Sequence, residues 1–145
     1  QFPDSHGMHS ARLVALYEDK RYDEVFKGAA EYIELVKKGD YPPVEIAKGY
    51  VFLATAQWAL GQQQEALESF RAASHVEVAG RLSRWAVWAL VRAANVEDLL
   101  GRRTDAVRDY KEAAAQPDLW EIRPIAKAGL SKPFQAKDPG SLPPP

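Results

Sequence analysis

The sequence predicts an all-α protein built from antiparallel helix pairs that stack on one another. Three observations carry that expectation. Apolar residues recur at intervals of three and four along most of the chain, which places them on one face of a helix. No segment alternates apolar and polar residues between turn signals, so strands are needed nowhere. Three stretches also align with one another at a nearly constant spacing, as expected of units that bury their apolar faces only by stacking.

Each helix can be justified in turn. Val25, Ala29, Ile33 and Val36 form the first clear stripe. Lys37 and Lys38 follow at its negative end, and Gly39-Asp40-Tyr41-Pro42-Pro43 forbids continuation. Tyr50, Leu53, Ala54 and Trp58 make the next stripe, Ala66, Leu67, Phe70 and Ala73 another, with Gly61 between them. Gly101 separates the following pair, which Gln116-Pro117-Asp118 closes. A segment from Leu119 to Leu130 reads as a terminal capping helix with Pro124 near its start. The helical domain therefore spans residues 5–135. Residues 136–145 have almost nothing to bury and read as a flexible, proline-rich tail. An alternative for Pro139 to Pro145 is docking on an aromatic surface, a partner's or this chain's own.

The three aligned stretches are Tyr17 to Tyr32, Trp58 to Ala73 and Asp98 to Ala113. In each, a short polar turn leads to an acidic residue (Glu24, Glu65, Asp105) and then a small apolar one (Val25, Ala66, Ala106). In the second and third an aromatic follows (Phe70, Tyr110), and then an alanine (Ala73, Ala113). The turn positions are Lys20, Gly61 and Gly101, a period of about 40 residues.

These residues resemble the tetratricopeptide repeat family. The match is clearest from Ala47 to Ala73, where Tyr50, Leu53-Ala54, Gly61, Ala66, Phe70 and Ala73 fall at the family's spacings. The third unit keeps Ala93-Ala94, Gly101, Ala106, Tyr110 and Ala113, whereas the first has Lys20 and Val25 at the turn and small-residue positions. The period exceeds the family's usual ~34 residues, which leaves a HEAT-like or other helical-hairpin array open. The resemblance implies a short right-handed α-solenoid whose concave groove is lined by the first helix of each pair. Carried over by position, that lining is Val14 and Tyr17, then Lys48, Val51, Thr55 and Trp58, then Trp88, Val91, Arg92 and Asn95. Some members grip a terminal carboxylate with lysines, asparagines and arginines. Here only Lys48, Arg92 and Asn95 echo that set, so an apolar or aromatic stretch of a partner fits better.

Composition narrows the function. The formal net charge of -1 is too small to steer the chain to nucleic acid or an anionic membrane. The longest apolar run, Trp85 to Val91, is far short of the ~20 residues that span a bilayer. With no cysteine there is no disulfide and no thiolate metal site, and no compartment is singled out. An opening Gln1 in place of Met suggests a start trimmed from a longer chain or behind a leader. Catalytic signatures are missing: no phosphate-binding glycine loop, no GxSxG, no HExxH. His6 and His9 have ligand-like spacing with Asp4 nearby but no third fixed ligand, and read as a solvated helix start. His75 reads as a polar loop residue.

The expectation is a protein–protein interaction module, not an enzyme, with no cofactor and no metal. It would bind a protein or peptide segment in an aromatic-apolar groove anchored by Tyr17, Trp58 and Trp88. The alternative is an assembly domain of a larger protein that self-associates through repeat edges. A groove position for Trp58 predicts that Trp58→Ala harms binding more than stability; a core position predicts the reverse.

Overall fold

A computed structural model of the chain describes residues 5–117, 120, 122–136 and 142–143. Among them the α-helices are α1 (Ser5–Glu18), α2 (Tyr22–Lys37), α3 (Ile46–Ala59), α4 (Gln63–Ala73), α5 (Arg84–Leu99), α6 (Arg103–Ala114) and α7 (Ile122–Ser131). Every helix packs against the next in sequence, and α3, α5 and α7 also pack on one another in order. The result is an all-helical molecule of adjacent helix pairs.

The turns within the pairs share one backbone. Lys20, Gly61 and Gly101 all adopt left-handed φ, at 60°, 83° and 77°. The residue after each, Arg21, Gln62 or Arg102, donates its N–H to a carbonyl five residues back (Leu16, Gln57 and Glu97) at 2.8–2.9 Å. These bonds satisfy carbonyls that a helix end would otherwise orphan. After each turn a small or branched residue, Val25, Ala66 or Ala106, is fully buried where two helices meet. Thus Lys20 occupies the same turn as the two glycines.

One expectation is overturned. A two-stranded antiparallel hairpin, β1 (Glu77–Val78) and β2 (Arg81–Leu82), joins α4 to α5. Ala79 and Gly80, both at positive φ, make its tip, as a two-residue hairpin turn requires. Two-residue strands are too short to show alternation, so the pattern could not reveal them. Ser83 then caps α5 by accepting the Ala86 N–H at 3.0 Å.

The apolar interior forms two clusters. One joins α1 and α2 to α3 through Leu13, Val25, Ala29, Tyr32 and Phe52. The other runs from α3 to α7 through Trp58, Phe70, Trp88, Tyr110 and Ile122. Trp85 packs at the margin of both. Residues 86–97 of α5 are buried in an unbroken run, because α5 has neighbours on several sides. Gly28, Gly49 and Gly129 lie at close approaches, Gly129 beneath the Tyr110 ring.

The start of α1 is anchored, not solvated. His9 pairs with the Tyr41 hydroxyl at 2.9 Å and the Gly28 carbonyl at 3.0 Å. Among the described residues no cluster of three metal-ligating side chains occurs, and no helix is long and apolar enough to cross a membrane. Most of the tail expected at 136–145 lies outside the described residues, but Leu142 packs against the α1–α3 cluster.

Candidate functional site

The predicted groove residues fall into three sets. Val14 and Tyr17 of α1 lie half-buried at the margin of the first cluster. On α3, Val51, Thr55 and Trp58 are buried. The Thr55 hydroxyl donates back to the Val51 carbonyl at 2.7 Å. Trp58 meets Phe70 edge-to-face, and its indole Nε1 is buried without a hydrogen-bond partner among the described residues. Trp88, Val91, Arg92 and Asn95 of α5 are buried as well.

Lys48 stands apart from the others. Its ammonium pairs with Glu45 at 2.9 Å and lies over the Trp85 ring, 5.5 Å from the centroid. Glu45 also accepts from the Tyr32 hydroxyl at 2.5 Å. Burial pushes the Glu45 carboxyl up, but the Tyr32 hydroxyl and the Lys48 ammonium outweigh it and hold it below the usual value.

Arg92 is the centre of what the structure brings together. Its guanidinium lies over the Trp88 ring at 4.8 Å and donates to Asn95 Oδ1 at 2.9 Å. Burial pulls its pKa down, while the nearby Tyr17 and Tyr110 hydroxyls work against that. Asn95 Nδ2 donates to the Tyr110 hydroxyl at 2.7 Å, and that hydroxyl donates to Asp98 Oδ2 at 3.1 Å. Asp98 also receives Arg103 through both carboxylate oxygens, at 3.1 and 2.9 Å. Arg103 in turn ties down the Gly129 and Leu130 carbonyls at the end of α7. A continuous polar chain therefore runs from Trp88 along the last two turns of α5.

That chain ends on a residue the sequence reading missed. The backbone N–H of Phe134 donates to Asp98 Oδ2 at 2.9 Å, and its ring meets Trp58 at 5.8 Å with a 65° tilt. Phe134 thus covers the ends of α3 and α5 together. Trp120, from the α6–α7 connection, covers the other end of α5. It packs edge-to-face on Trp85 and Trp88, with Arg84 over its own ring at 4.5 Å. The available signal for Phe134 was an aromatic beside Pro133 just after a helix end, a place where no packing partner is visible in the pattern.

A second buried cluster lies between α4, α5 and α6. Glu97 is fully buried, pairs with Arg71 and neighbours Asp109, which Arg71 reaches at 3.4 Å. Burial, then the Asp109 carboxyl, push Glu97 up to about 8 against the opposing pull of Arg71. Periodicity placed Glu97 on a helix but gave no sign that it turns inward.

No protein-family model, curated protein or solved structure matches the chain.

Proposed function

We propose that the chain is a protein–protein interaction module of tetratricopeptide-like stacked hairpins. Its α1–α3–α5 face receives an extended segment of a partner protein. One observation carries this reading: the ends of α3 and α5 already hold a stretch without regular secondary structure, seated by Phe134 on Trp58 and by its backbone N–H on Asp98. A face that seats one extended segment by an aromatic anchor and a main-chain hydrogen bond has the chemistry for another. The repeated turn supports the stacked arrangement, because identical turns orient successive pairs alike. Arg92 and Asn95 within an aromatic surround add polar specificity to an apolar floor.

The test is site-directed photo-crosslinking in the cells that make the protein. A benzophenone side chain in place of Tyr17, at the margin of the face, should capture a partner. The same group in place of exposed Glu68 on α4 should not. Equal capture at both positions, or none at Tyr17, would sink the reading.

A further inference from the structure

Cations and tryptophans alternate across α3, α5 and the α6–α7 connection. Lys48 lies over Trp85, Arg84 over Trp120 and Arg92 over Trp88, and Trp120 meets both other indoles. Trp85 and Trp120 are half-buried and Arg84 is exposed, so the array opens on solvent. Core packing accounts for the indoles but not for the charges laid on them.

Those charges are unequally neutralised. Lys48 has the Glu45 carboxylate. Among the described residues, neither Arg84 nor Arg92 pairs with a carboxylate, and Asp98, one turn beyond Asn95, is taken by Arg103 and the Tyr110 hydroxyl. Arg92 is only 8% exposed, and its one hydrogen bond among these residues goes to Asn95. A buried cation without a counter-charge is costly. The buried polar atoms that lack a partner belong to His6, Trp58 and Glu97, not to Arg92, so its other guanidinium nitrogens keep contact with solvent. A guanidinium that meets a ring with its face leaves its in-plane N–H donors for a carboxylate.

We infer that the occupant of this face is an acidic segment of a partner protein, whose carboxylate side chains pair with Arg84 and Arg92 around an apolar residue seated on the tryptophans. This rests on the peptide-binding reading above and adds the charge of the ligand to it. The two arginines are eight residues apart on α5, about 12 Å along the axis. An extended segment advances ~3.3 Å per residue, so acidic residues four positions apart match them, and the residue midway between lies on the same side. A terminal carboxylate is matched less well, because Lys48 is engaged by Glu45, and Asn95 by Arg92 and Tyr110. A formal net charge of -1 disfavours nucleic acid.

The test measures fluorescence anisotropy of the full chain with the labelled peptide Ser-Glu-Ser-Phe-Ser-Glu-Ser and its counterpart with glutamine for both glutamates. The glutamate peptide should bind at least about tenfold more tightly, and added salt should weaken it alone. Arg84→Gln alters an exposed side chain and should cost the glutamate peptide about tenfold while sparing the glutamine one. Lys111→Gln, on the exposed side of α6, should change neither. Arg92→Gln should act as Arg84→Gln does if it folds, and Arg84→Gln decides alone if it does not. Equal affinity for the two peptides would keep the face as a peptide site and overturn its acidic preference. No binding of either overturns the acidic occupant, and the peptide-binding reading then stands or falls by capture at Tyr17. Tighter binding of a single-stranded oligothymidylate than of the glutamate peptide would overturn the inference in favour of nucleic acid.

Discussion

Gly129 and Tyr110 meet so closely that a Cβ built on Gly129 would lie 2.3 Å from the tyrosine ring. Alanine favours a helix over glycine by up to ~1 kcal/mol, yet here the clash must win. The ring is fully buried and held by Asn95 and Asp98. Gly129→Ala is expected to cost about 1–3 kcal/mol, read as a lower midpoint in urea denaturation with an unchanged slope. Glu97 makes a second expectation. Its folded pKa, about 8, lies above the ordinary carboxylate value. The folded state therefore holds the extra proton, and that contribution to stability, full at low pH, is lost as pH rises toward and through 8. Glu97→Gln should flatten the fall in melting temperature between pH 5 and about pH 8.5; an unchanged slope would assign that fall to other groups. Neither feature was legible in the sequence. A helical pattern shows which face is apolar, not which ring lies over a glycine or which carboxylate is turned inward.

The helices themselves were legible, and the reason is that their boundaries are set locally. Lys37-Lys38-Gly39 and the prolines after it end α2, and Gly61 and Gly101 turn the chain where the pattern places them. The hairpin between α4 and α5 was not legible, because its strands are two residues each. The shared turn yields an expectation specific to the first pair. Lys20 pays for a left-handed φ that Gly61 and Gly101 adopt freely. Relief of that conformation is worth about 1–2 kcal/mol, less the ~0.5–1 that glycine's unfolded freedom costs. Lys20→Gly should therefore raise the melting temperature by about 2 °C. A decrease would mean that the lysine side chain contributes something beyond its backbone.

Across the chain, burial is unevenly shared. Seven of the ten groove positions named from the sequence lie on α3 and α5 with little solvent around them, and the aromatic that covers Trp58 comes from beyond α7. Their place on α3 and α5 follows from the helical pattern; what covers them does not, since it depends on a contact between residues far apart in sequence. Trp58 is only 3% exposed and belongs to the α3–α7 cluster. Trp58→Ala is accordingly expected to cost about 3–5 kcal/mol, measured by chemical denaturation. A loss under ~1 kcal/mol would mean that the site collapses around the smaller side chain.

The seating of Phe134 on Trp58 has one more consequence, and it is optical. Trp120 packs edge-to-face on both Trp85 and Trp88, whereas Trp58 meets the rings of Phe70 and Phe134. Departure of Phe134 would bring water to Trp58 and leave the other three where they are. The protein's own emission spectrum should then shift to the red when that contact opens, so its state can be followed in solution without any added label.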